Sequence, residues 1–145
     1  MCRAHATVRG LLGELVTRTG NGRDIVLDME AGLEHMSRGT GRHVSRLVAV
    51  LEPYFRSMET ARRTVELARE MEVPGIIAVA NKVRDEGDRQ AIAEFCEAHG
   101  LDLAVEIPYD GALLDAERAG KPPFEYDPDT PAVAAIGKLA DVLTA

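Results

Sequence analysis

Residues 76–82 read Ile76-Ile77-Ala78-Val79-Ala80-Asn81-Lys82, five unbroken apolar residues closed by two polar ones. A strand with one wet face alternates apolar and polar side chains, so an unbroken run describes a strand covered on both faces. Two more segments share this form. Leu47-Val48-Ala49-Val50-Leu51 ends in Glu52-Pro53, and Ile25-Val26-Leu27 ends in Asp28. A fourth run, Leu103 to Ile107, has Glu106 inside it and is expected nearer a sheet edge, closing on Pro108-Tyr109-Asp110.

Amphipathic stretches separate the runs. Val8, Leu11, Leu12, Leu15 and Val16 recur at helical spacing before Gly20-Asn21-Gly22. Ser57 is expected to cap a helix with Met58, Ala61, Val65 and Ala68 on one face. Asp88 is expected to open the next, with Ile92, Phe95 and Cys96 inward and Gly100 as its stop. A short helix spans about 112–119. After a loop at Pro122-Pro123, Thr130 and Pro131 supply the cap and first residue of the last helix. Strands alternating with helices predict an α/β fold with a mostly parallel sheet and helices on both faces. The polar residues gather at the carboxyl ends of the strands, where open α/β sheets bind ligands.

Composition bounds the rest. The 145 residues fit one domain. Seventeen Lys and Arg against twenty-four Asp and Glu give a net charge of −7, which argues against a nucleic-acid coat. The charge is uneven: residues 1–46 carry seven basic and five acidic residues, and 47–145 carry ten and nineteen. With two cysteines, no signal-peptide core and no long apolar run, the expectation is a cytoplasmic protein without a membrane span.

The segment Asp28-Met29-Glu30-Ala31-Gly32-Leu33-Glu34-His35, continuing to Arg38-Gly39, carries a family resemblance. It resembles the CooC-type accessory ATPases of carbon monoxide dehydrogenase maturation. These fall in the MinD, ParA and nitrogenase iron protein class of P-loop ATPases. Leu47–Pro53, Ser57-Met58-Glu59-Thr60-Ala61, Asn81-Lys82 and Ile107-Pro108-Tyr109-Asp110 follow in the family's order. The resemblance implies an ATP-dependent metallochaperone for nickel insertion, working as a homodimer with ATP and Mg2+ on the carbon monoxide dehydrogenase apoenzyme. It assigns Asp28 to magnesium and the attacking water, and Gly32 to the γ-phosphate. Asn81 and Lys82, with Pro108 and Tyr109, are assigned to the nucleotide base. The family's cysteine motif implies a Ni2+ or Zn2+ site shared between two subunits, to which Cys2 would contribute.

The sequence departs from the family in one respect. No G-x-x-x-x-G-K-[ST] motif is present, and no lysine precedes Lys82. Cys2 aligns with the second cysteine of the family's C-x-C pair, and Met1 with the middle position. The simplest account is that residues 1–145 are the C-terminal part of one nucleotide-binding domain, inactive alone. In related sheets the P-loop strand lies between the Asp-bearing strand and the next, so its loss predicts a chain that is marginal, self-associates, or pairs Ile25–Asp28 directly with Leu47–Leu51. A non-catalytic module docking on a related ATPase, or a ParA-like ATPase with another client, are the alternatives.

Other polar residues carry plainer readings. Cys2 and His5 have ligand spacing, but two ligands make no complete site and an exposed free cysteine at the N-terminus is the favoured reading. Cys96 reads as core. His35 fits a second metal group or a conformational sensor, and a solvated or capping histidine as well; Arg38 and Arg42 fit a phosphate or dimer contact, and an ordinary surface as well. His43 and His99 belong to no constellation. Asp110 fits the cap of the following helix.

Overall fold

The computed structural model describes residues 25–28 and 44–145. Three strands, β1 (Arg46–Leu51), β2 (Gly75–Val83) and β3 (Leu103–Pro108), form a parallel sheet in the order β1-β2-β3. Helix α1 (Phe55–Glu70) connects the first two, and α2 (Glu86–His99) the second and third. Helices α3 (Gly111–Arg118), α4 (Pro123–Tyr126) and α5 (Pro131–Thr144) follow.

The apolar runs divide by the two-residue period of a strand. Ala49, Leu51, Ala78, Ala80 and Val83 face one way, into a core completed by Ala61 and Val65 of α1 and Ile92 and Cys96 of α2. Val79, Val105 and Ile107 face the other way, against Ala132 and Ala135 of α5. Helices therefore lie on both faces of β2, as its unbroken run requires. Among the described residues strand β3 is at an edge, where Glu106 is half-buried and accepts a hydrogen bond from Arg89 at 2.7 Å. Strand β1 is the other edge among the described residues. Its Val50 is 53% exposed, so the second face of β1 is less covered than its composition suggests.

Several local expectations need correction. Residues 25–28 form no strand, and Val26 is exposed. An apolar segment becomes a strand where a neighbour takes its backbone hydrogen bonds, and among the described residues β1 pairs with β2 alone. Ser57 is not the cap of α1: its hydroxyl accepts from the Glu52 backbone N–H at 2.9 Å, inside the helix's first turn. The cap is Tyr54, in extended conformation and without a side-chain cap bond. Asp88 yields the cap of α2 to Asp85, whose carboxylate accepts from the Asp88 N–H at 2.9 Å. The Asp88 carboxylate instead accepts from the Arg84 backbone and guanidinium, which hold it below the usual carboxylate range. The loop at Pro122-Pro123 contains the short helix α4.

Gly100 stops α2 in a left-handed conformation, and Thr130 caps α5 through the Val133 N–H, both as the sequence predicts. The Val8–Val16 helix lies outside the described residues.

Candidate functional site: the carboxyl ends of the strands

Strand β2 does not run straight to its end. Ala80 pairs with Glu106 and Val83 with Pro108, so Asn81 and Lys82 together oppose the single residue Ile107. This is a β-bulge in a parallel pair, a rare arrangement that re-aims side chains and concentrates next to functional sites. An earlier irregularity, between Ala78 and Val79, places the extra residue on β3. The second returns the pairing to its starting offset, so the bulge changes only the strand ends.

Lys82 takes the conformational strain of the bulge. Its φ is +58°, a left-handed backbone without glycine to relieve it. Such strain persists where the surroundings over-determine it, and here both neighbouring strands do. The Lys82 ammonium reaches sideways to the Glu52 carboxylate at the end of β1, with Nζ 2.9 Å from Oε1. On the other side, the Tyr109 N–H donates to the Val83 carbonyl at 2.9 Å, closing the end of β3 over the bulge. The Glu52 carboxylate raises the Lys82 pKa above the ordinary lysine value, and the nearby phenols of Tyr54 and Tyr109 push the same way. Glu52 is itself fixed, its N–H on Ser57 and its carbonyl accepting from Tyr54.

The structure thus brings together four of the residues singled out from sequence: Asn81, Lys82, Pro108 and Tyr109. Asn81 is half-buried, and its side-chain amide makes no hydrogen bond to a described residue. Pro108, also half-buried, ends β3, whereas Tyr109 is exposed. Asp110 has the structural role open to it: it caps α3 through the Ala112 N–H at 3.0 Å and also reaches the Ala132 N–H of α5 at 3.4 Å. Asp28 is exposed, and no hydrogen bond or ion pair joins it to this cluster among the described residues. Gly32 and Cys2 lie outside the described residues, as do His5, His35, Arg38, Arg42 and His43.

Sequence reading gave no role to Glu52 or Tyr54. The pair Tyr54-Phe55 directly after a strand end and a proline was the available signal, because large aromatics rarely open a helix at the surface.

A shallow groove of about 280 Å³ extends from Pro108 and Val83 towards Arg84, Arg89 and Glu106. Its charges satisfy one another: Arg89 bonds both Glu106 and Glu86, and Arg84 bonds Asp88. It offers no free cation for a phosphate. Among the described residues no group of three or more His, Cys, Asp or Glu side chains is placed to hold a metal ion. Nor is any helix there long and apolar enough to cross a membrane.

No protein-family model matches the chain. It is similar over 128 residues, at 38% identity, to the carbon monoxide dehydrogenase accessory protein CooC of Rhodospirillum rubrum. That alignment takes in 88% of this chain and 47% of CooC. An uncharacterized ATP-binding protein of Methanocaldococcus jannaschii is 35% identical over 125 residues, again with 47% of its length covered. Among solved structures, the MinD cell division protein of Aquifex aeolicus superposes with a TM-score of 0.79 at 21% identity. The match covers 97% of this chain and 60% of that one. MinD of Pyrococcus horikoshii, solved with Mg-ADP, gives 0.74 at 18% identity, over 94% and 56% of the two chains.

The chain is a relative of CooC with the MinD/ParA fold.

It spans about half the length of the curated relatives it matches. The CooC resemblance drawn from short motifs therefore holds over most of this chain, and the P-loop ATPase fold expected from it is the fold observed.

Proposed function

We propose that this chain supplies the base-binding side of an ATP-dependent accessory ATPase for carbon monoxide dehydrogenase maturation, with nickel as the cargo. The bulge at Asn81-Lys82 carries the reading: a strained, three-strand junction at the ligand-binding end of an α/β sheet. CooC and the ATP-binding relatives support it by similarity. Residues 1–145 are read as part of one nucleotide-binding domain.

An Asn amide offers a donor and an acceptor side by side, which matches the paired acceptor and donor on the adenine edge. Asn81 has that chemistry, and the end of β3 provides a wall at Pro108 and Tyr109. These residues fit a base. Asp28 offers one hard oxygen ligand of the kind magnesium takes, and Gly32 would lie by the γ-phosphate. Magnesium, when bound, supplies charge neutralisation on the phosphates. The chain's own residues hold and orient the base, and Lys82, neutralised by Glu52, fixes the junction rather than a phosphate. In the homodimer, Cys2 from each subunit would contribute to the Ni2+ or Zn2+ site. The reading places the protein in the cytoplasm.

Equilibrium dialysis of the 145-residue chain against labelled ATP is the test. Weak, saturable retention lost in Asn81→Ala is the expected result, and no retention by the parent chain sinks the reading. Hydrolysis is expected to be absent from the chain alone. Turnover by the pure chain that disappears in Asp28→Ala would overturn that expectation.

A second reading, a non-catalytic module docking on a related ATPase, draws on the half-exposed Val50 at the outer edge of β1. It predicts no thermal shift with an ATP analogue and a large one with the partner ATPase.

A further inference from the structure

Lys82 stands between two exposed aromatic side chains. Tyr54, just past the end of β1, and Tyr109, just past the end of β3, are each 53% exposed. The Tyr54 N–H donates to the carbonyl of Glu52, whose carboxylate holds Lys82, and the Tyr109 N–H donates to the carbonyl of Val83, the next residue after Lys82, so both tyrosines adjoin the bulge. They flank the middle strand on its two sides because β1 and β3 flank β2.

Neither ring is there for stability. Tyr54 occupies a helix N-cap, where a Ser, Asp or Asn side chain would accept a backbone N–H, and it makes no cap bond. Tyr109 precedes the N-cap Asp110, and its own side chain belongs to neither buried sheet-face cluster. Where a local rule is broken without a packing gain, function is the usual reason. Lys82 adds to the arrangement. Its ammonium is held by the Glu52 carboxylate at 2.9 Å, so it is not a free cation for a phosphate at this place.

We infer that Tyr54 and Tyr109 form an aromatic clamp across the bulge that stacks on the purine base of the nucleotide. Tyr54 is thereby a base-binding residue that no sequence motif announced. The inference rests on the nucleotide reading above and deepens it. Asn81 reads the edge of the base, and the two rings take its faces. Stacking is tolerant of base identity but scales with ring area, so purines are favoured over pyrimidines.

The chain contains no tryptophan and three tyrosines, so its ultraviolet emission reports on Tyr54, Tyr109 and Tyr126 alone. In the Tyr126→Phe chain, the signal belongs to the two clamp residues. Adenosine, which has no phosphates, is the probe, with uridine and inorganic triphosphate as comparisons. The expected result is saturable quenching by adenosine, weaker binding of uridine and no response to triphosphate. Tyr54→Leu should weaken adenosine binding about tenfold, and Tyr54→Phe should leave it nearly unchanged. Binding is read for these variants by amide shifts of Asn81 and its neighbours, so it does not depend on the deleted fluorophore. Adenosine shifts at Asn81 that are equally strong in Tyr54→Leu overturn the clamp and leave the nucleotide reading standing. No adenosine shift in the parent chain overturns both.

Discussion

At Lys82, as at Glu72, local backbone preference and the observed structure conflict, and of the two Lys82 lies at the candidate site. A lysine at φ +58° is disfavoured by about 1–2 kcal/mol relative to right-handed backbone. Glu52 and Tyr109, on the two adjoining strand ends, hold the junction in which it is kept. Glu52→Gln removes the acceptor charge, and the Lys82 pKa should fall back towards the ordinary 10.5. The sign is that of a cation gaining a partner: the pair's contribution is complete below 10.5 and is lost as pH rises through the higher folded value. A Cε chemical-shift titration of Lys82 in parent and variant checks it. Unchanged midpoints would show that the ion pair does not exist in solution.

At the scale of elements, helix α1 shows how surface charge is organised. Glu59 accepts from both Arg62 and Arg63, and Arg62 reaches on to Glu66, one turn further. The Arg62 and Arg63 guanidiniums together hold the Glu59 carboxyl down at about 2, against an ordinary 4.5. A lowered carboxylate pKa contributes stability above the unfolded value and loses it as pH falls through the folded one. Glu59→Gln should therefore melt slightly lower than the parent at pH 7. That gap should close between pH 4.5 and about 2. Paired thermal melts by circular dichroism across this range give the answer, and a gap independent of pH would refute the assignment. The effect is small because the network is at the surface.

The same elements show which features the sequence made legible. Unbroken apolar runs marked β1 and β2, because covering both faces of a strand leaves no position for a polar side chain, whereas the equally unbroken Ile25–Leu27 forms no strand. Glu106 marked β3 as an edge. Gly100 and Thr130-Pro131 marked helix ends through chemistry confined to one or two residues. The cap of α2 was misplaced by one turn, since Asp85 and Asp88 are both suitable and only the Arg84 contact separates them. The bulge was illegible. It depends on the register between two strands, and a continuous apolar run carries no alternation to reveal a slipped pairing. The candidate site was legible as a location, the strand ends, and in Asn81, Lys82, Pro108 and Tyr109. Glu52 and Tyr54 entered only when β1 was placed beside β2.

At the scale of the molecule, the uneven cover of the sheet decides behaviour in solution. Strand β2 is enclosed on both faces by α1, α2 and α5, whereas β1 presents a half-exposed Val50 at an edge unpaired among the described residues. Exposed apolar edges template further strand pairing, and lysine on an edge strand blocks it. Val50→Lys is expected to reduce self-association of the isolated chain in sedimentation velocity while leaving its melting temperature within about 2 °C. Equal association in parent and variant would place the contact elsewhere.

Asp110 gives the site a reach beyond its own neighbourhood. One carboxylate anchors the first turn of α3 and, 22 residues further along the chain from Asp110, the Ala132 N–H in the first turn of α5. The loop that begins at Tyr109 is therefore tethered to the last helix, and through Ala132 to the core on the far face of the sheet. A ligand that repositions Tyr109 must either carry that helix along or release its amide to solvent. The backbone of Ala132 is consequently a distant gauge of occupancy at the strand ends, readable by hydrogen exchange without any probe placed in the site.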